Sequence, residues 1–236
     1  MTLHDPFAVR EEYSTEAGLL ARRAAYEHAD GPNAPELVFD AVAEVRPDNY
    51  LEVGCGPSEL AARVQETIGA RVIAIDISPR MVELAQSRGV DAREGDVQHL
   101  PFADGEFDCA VAAWMLYHVA DVARALDELA RVLRPGGRLV AVTNGLDHLR
   151  ELRELLGLPA RADTTFSREN GAELLRSRFD RVEERDASGT VTFPGRDAIV
   201  AYVEASPVFF EGATDVPDRI EPLVVCRTPV VFVATR

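Results

Sequence analysis

Apolar residues follow two spacings along this chain. Short unbroken runs, such as RVIAID at 71–76 and RLVAVTN at 138–144, suit strands buried on both faces of a parallel sheet. Between them lie stretches with apolar residues at every third or fourth place. DVARALDELARVL at 121–133 is the plainest, and this spacing predicts an amphipathic helix. The pattern predicts a strand at about 50–53, a helix at 58–68 stopped by Gly69, and a strand at 71–76. A helix led by Ser78 as N-cap and Pro79 in its first turn follows, then a weaker strand at 90–96. A strand opening at 107, the helix at 121–133 and the strand at 138–144 complete the series. Strand and helix thus alternate over about 95 residues, the mark of an open, doubly wound, mostly parallel α/β sheet. Right-handed crossovers put the strand ends on one rim, where ligands bind near the reversal of strand order.

The flanks are more mixed. Residues 10–28 read as one helix and 36–45 as a second, closed by Pro47. After 145 come a helix, the loop ADTTFS, and RENGAELLRSRF, read as a helix interrupted by Gly171. RVEERDA and TVTF are strand candidates, the first an outer strand, and RDAIVAYVEAS is a helix. A Pro-punctuated stretch at 207–222 precedes PVVFVATR, a final sheet strand. No repeat, linker or low-complexity segment divides the chain, so one domain over 1–236 is expected.

Composition narrows the function. Twenty-five basic residues face 40 acidic ones, for a net charge of −15. The basic residues are arginines scattered among acids. That balance opposes phosphate backbones and anionic membrane surfaces, so no nucleic-acid partner is expected. Cys55, Cys109 and Cys226 lie far apart and form no metal or disulfide pattern, so no metal is expected. No run of 18 apolar residues spans a membrane, and the N-terminus lacks a secretory pattern. A cytoplasmic protein is the expectation. The abundance of Arg and Ala suggests a bacterial, GC-rich genome.

Candidate chemistry begins at YLEVGCGPSELA, residues 50–61. Gly-x-Gly after a strand brings backbone close to a ligand. A phosphate loop needs a lysine that is absent here. A dinucleotide fingerprint needs a third glycine where the chain has Glu59, whose charge would sit near a pyrophosphate. S-adenosylmethionine (SAM) carries no phosphate, and its amino and sulfonium groups suit an acid at Glu52. Asp76, 20 residues after Gly56, ends the second strand, where a carboxylate can accept both ribose hydroxyls. Asp96 ends the third, where an adenine amino group can find an acceptor.

LEVGCGPSELA, VIAIDISPRMVELA, GDVQHLPFADGEFDCAVAAWMLYHV and ELARVLRPGGRLVAV run in order over residues 50–143. Together they resemble the successive motifs of class I SAM-dependent methyltransferases, and within them the small-molecule branch that includes the ubiquinone/menaquinone methyltransferases. The resemblance implies a Rossmann-like, seven-stranded sheet with an antiparallel last strand. It implies an N-terminal helical lid at 1–45, a SAM-binding core at 46–144 and a variable substrate-side region at 145–236. It places Glu52, Gly54 and Gly56 around the methionine part of the cofactor and Asp76 on the ribose. Ile77 would pack on adenine, Asp96 and Val97 meet its edge, and Trp114 pass close by. Ser58 stands where many members carry a third glycine, and an N-cap role is expected for it.

Methyl transfer is a one-step in-line displacement that yields S-adenosylhomocysteine (SAH) and needs a base only if the acceptor keeps its proton. The candidate catalytic residues are His118, just past the fourth strand, Tyr13 in the N-terminal helix, and His148 after the fifth strand. Tyr117, Asn144, Arg10, Tyr26 and His28 are further candidates for the pocket or lid. Phe166 and Arg168 are expected to roof the acceptor pocket, with Arg168 facing an anion. The expected acceptor is a small molecule, methylated on N, O or C, and the protein a monomer or homodimer. Methylation of RNA or protein, and a non-catalytic SAM-binding role, are the alternatives.

Overall fold

The computed structural model describes residues 6–26, 29–162 and 164–236, so His28 lies outside the described residues. The apolar runs become β1 (Asn49–Val53), β2 (Arg71–Asp76), β3 (Asp91–Glu94), β4 (Phe107–Ala113) and β5 (Leu133–Asn144). All five are parallel, in the spatial order β3-β2-β1-β4-β5. β9 (Pro229–Thr235) then pairs antiparallel with β5, and β6 (Arg181–Asp186) closes the edge antiparallel to β9. The result is the expected seven-stranded, mostly parallel sheet, with its last strand antiparallel.

Helices cover both faces. α3 (Ala34–Ala43), α4 (Glu59–Ile68) and α5 (Pro79–Ser87) pack on one face, over Tyr50, Val72 and Val140. α6 (Val122–Val132) and α8 (Arg168–Arg176) pack on the other, over Leu51, Ile73 and Phe232. β1 sits between β2 and β4, so the reversal of strand order falls at its C-terminal end. The ends of β1 to β5 share one rim, and the Gly-x-Gly turn lies on it.

The remaining elements build a second layer over that rim. The segment 10–28 is not one helix but two, α1 (Pro6–Glu12) and α2 (Ala17–Ala25). Backbone bonds from Tyr13 to Val9 and from Ser14 to Glu11 end the first helix. β7 (Gly189–Phe193) leaves the main sheet and pairs with β8 (Leu223–Arg227), a strand hidden in sequence behind the prolines before it. α7 (Arg150–Leu155) and α9 (Arg196–Glu204) join this pair around Phe193, Tyr202 and Phe210. Nor does Gly171 interrupt α8. Any side chain there would meet the Phe232 ring, with a Cβ only 2.6 Å from its Cε2.

Candidate functional site

The first turn on the rim is shaped by positive backbone angles. Gly54 has φ 60° and Gly56 φ 52°. A Cβ on Gly54 would also stand 2.6 Å from the Met115 Cβ, so this position requires glycine on two counts. Ser58 continues the turn at φ 56°, a left-handed conformation costly for a residue with a Cβ. Its side chain makes no capping bond to α4, against the expected N-cap role, and its buried hydroxyl has no nitrogen or oxygen partner among the described residues. A backbone already left-handed turns the hydroxyl away from the helix N–H groups.

Asp76 ties the first two strand ends together. One carboxylate oxygen accepts from the Gly56 N–H and the other from the Ser78 N–H, each at 2.8 Å. Burial pushes its pKa up, and these backbone bonds oppose that. Each oxygen retains a further lone pair, so two ligand hydroxyls can still be accepted. Glu52 lies deeper and is only 5% exposed. Burial pushes its carboxyl up to about 8, so it is largely neutral at pH 7 in the free protein. A cation beside it would draw out the charge. Asp96 is held by Gln98, whose backbone N–H donates at 2.9 Å and whose side-chain amide donates to both carboxylate oxygens.

These residues face one cavity of about 930 Å³. Ile77, Val97 and Trp114 also line it, together with Tyr13, His118 and His148. Trp114 bends the chain after β4 with φ 53°, and its indole N–H donates to Asn144 Oδ1 at 3.4 Å. The sequence candidates from four strand ends, from α1 and from the turn after β5 thus meet in one chamber.

The histidines have different surroundings. Tyr13 Oη lies 3.3 Å from His118 Nε2. Burial lifts the Tyr13 pKa to about 12, so it keeps its proton at neutral pH. The Tyr13 carbonyl accepts from Ser78 Oγ at 2.8 Å, which ties the end of α1 to the Asp76 loop. His148 is fully used. Its Nδ1 accepts the Thr228 backbone N–H at 3.0 Å, so the proton must sit on Nε2, 3.1 Å from Tyr26 Oη. Burial holds its pKa well below the usual value. A neutral ring with its one lone pair taken cannot serve as a base, so His148 positions Tyr26 instead.

Three other expectations change. Phe166 is buried in the main core against Phe232 rather than in the cavity wall. Arg168 pairs with Asp186 and donates to Ser188 Oγ. Arg10 makes an exposed ion pair with Glu94. Neither arginine lines the chamber.

Residues 51–141 match the family described as a methyltransferase domain. The chain is 39% identical over 110 residues to a demethylmenaquinone methyltransferase of Thermus thermophilus, a match covering 44% of this chain and 50% of that one. It is 35% identical over 121 residues to a malonyl-[acyl-carrier protein] O-methyltransferase of Pseudescherichia vulneris, covering 50% and 48%. Residues 51–141 thus carry a methyltransferase domain. The chain's match spans about half the length of these curated relatives. In fold, it is similar to a SAM-dependent methyltransferase of Thermotoga maritima, described as a possible histamine N-methyltransferase. The TM-score is 0.60 at 21% identity, over 95% of this chain and 98% of that one.

The cavity also has lining residues, outside the matched domain, that the motifs did not mark. Arg22, Arg161, Tyr202 and Ser206 come from α2, from the segment after α7, and from α9 and its end. They lie outside the four motifs, and helical spacing alone shows only that they share a face with core residues. Gly18 was the one available signal: a Cβ there would stand 2.8 Å from the Ala205 carbonyl, which lets α2 dock on α9.

Proposed function

We propose that the protein transfers the methyl group of SAM to an N, O or C atom of a small molecule by in-line displacement, giving SAH. The observation that carries this reading is the continuity of the chamber. An acidic, glycine-lined half opens directly into an aromatic half roofed by α1, α2 and α9. When bound, the cofactor supplies the activated methyl and the leaving thioether.

The residues of this chain do the rest. The Gly54–Gly56 turn admits the cofactor close to the backbone, and the Glu52 carboxylate forms beside its amino group. Asp76 accepts the ribose hydroxyls, while Asp96 and Val97 meet the adenine edge and Ile77 packs on its face. Trp114 borders the reacting region. Residues 1–45 act as the lid, 46–144 as the cofactor core and 145–236 as the acceptor side. Where the acceptor carries a proton, Tyr13 Oη accepts it while passing its own to His118 Nε2. A concave chamber of about 930 Å³ and a net charge of −15 favour a small acceptor over RNA or a protein chain.

Thermal shift with SAM, SAH and NAD tests the cofactor. SAM and SAH are expected to raise Tm and NAD to leave it unchanged. If neither sulfur compound stabilises the protein, the reading fails. Asp76→Ala removes the acceptor of two cofactor hydroxyls and is expected to cost about 100-fold in SAH affinity, measured by calorimetry. Unchanged affinity would reject the ribose assignment.

A further inference from the structure

Five arginines line the cavity, and four of them have their charge answered. Arg22 donates to Glu12 and to the Ala205 carbonyl. Arg23 pairs with Glu59, and Arg63 forks onto Glu36. Arg227 is held by the carbonyls of Asp30, Pro32 and Ala187. Arg161 differs: among the described residues, no carboxylate and no carbonyl accepts from it. The Phe209 ring lies 5.4 Å from its Cζ, and the tyrosines Tyr26, Tyr117 and Tyr202 line the same cavity. Burial keeps all three tyrosines protonated, so they supply dipoles and no counter-charge. A guanidinium held in this way is costly for the free protein unless a ligand completes it.

A hydrogen-bond chain points to the same ligand chemistry. Thr228 donates a backbone N–H to His148 Nδ1, which fixes the proton on Nε2. His148 Nε2–H therefore donates to Tyr26 Oη. The Tyr26 proton then has one acceptor, Tyr202 Oη at 3.1 Å. The chain ends on the Tyr202 O–H, which has no acceptor among the described residues. One helical turn later, Ser206 lines the same cavity, is 1% exposed, and its Oγ has no partner among the described residues. Thus, among the described residues, one cation and two hydroxyls in the cavity wall lack acceptors.

Resting on the methyl-transfer reading above, we propose that the acceptor carries an oxyanion, a carboxylate or a phosphate, bound by Arg161 with Tyr202 and Ser206. A planar guanidinium fork matches either group with two parallel bonds. Tyr202 O–H supplies a directed donor, and His148 sets its direction through Tyr26. The acidic half of the chamber repels the same group. An anionic acceptor is therefore held in one orientation, with its far end toward the cofactor.

The test uses the full chain saturated with SAH and four probes: benzoate, benzamide, phenyl phosphate and phenol. Calorimetry is expected to show at least one anion binding about tenfold tighter than its neutral partner. The stronger of the two anions identifies the group. In Arg161→Gln the preference is expected to fall to within about twofold while SAH affinity is retained, and Arg161→Lys is expected to keep part of it. Tyr202→Phe is expected to weaken the anion by a smaller factor. Without probe, Arg161→Gln is expected to melt no lower than the wild type, because it removes an unanswered cation. The proposal is overturned if no anion is preferred, or if the preference survives Arg161→Gln. It is equally overturned if that variant loses both stability and SAH binding, which would make Arg161 a structural residue. Loss of SAH binding by the wild type would instead reject the methyl-transfer reading itself.

Discussion

Ser58 holds a left-handed backbone where the first turn of the rim becomes α4, and its hydroxyl is buried without a nitrogen or oxygen partner among the described residues. Both features cost free energy. The left-handed conformation alone is worth about 1 kcal/mol or more for a residue with a Cβ. Ser58→Gly is therefore expected to raise Tm by a few degrees in a thermal melt and to leave SAH affinity unchanged. A lower Tm would mean that the hydroxyl has a role that the geometry does not reveal. The sequence motif marks Ser58 as unusual but cannot tell the sign, because φ is not written in residue identity. Asp76 is the opposite case. Its place at the end of a strand and its distance from Gly56 are linear facts, and the structure adds the two backbone N–H groups that fix its carboxylate.

At the scale of elements, two contacts decide how helices meet the sheet. α8 runs over Phe232 at Gly171, where a Cβ would stand 2.6 Å from one ring carbon and 2.9 Å from the next. Both partners are fixed in the core, so overpacking is expected to cost about 1–3 kcal/mol in Gly171→Ala. Equilibrium denaturation checks this; a neutral result would mean that the helix can shift. Ser78 joins two elements. Its hydroxyl accepts from the Met81 N–H at the start of α5 and donates to the Tyr13 carbonyl at the end of α1. Ser78→Ala is expected to cost about 1 kcal/mol as a lost cap. It is also expected to speed amide exchange in residues 6–13 more than elsewhere. Exchange that rises equally in every element would refute the docking role. The cap was legible from the sequence Ser-Pro before an apolar spacing. The tie to α1 was not, because 65 residues separate the two partners.

For the whole molecule, Glu52 sets a dependence on pH. Its folded pKa of about 8 lies above its ordinary 4.5, so the folded protein holds a proton that the unfolded chain releases. The resulting stability is complete below pH 4.5 and is lost as pH rises through 8. Glu52→Gln is expected to match the wild type near the lower limit and to melt higher above the upper one, in the absence of cofactor. Parallel melting curves across this range would reject the assignment. Binding of SAH, with its amino group beside Glu52, is expected to release protons at pH 7, read by calorimetry in buffers of different ionisation heat. The order of strands and helices, the parallel core, and the glycines and acids at the strand ends were set by the sequence. Each rests on local periodicity or on short spacing within one βαβ unit. The separate β7–β8 pair, the use of His148 as an orienting group, and the unanswered charge of Arg161 were decided only by tertiary structure. They depend on which distant side chains share a wall, and on whether a polar group finds its partner there.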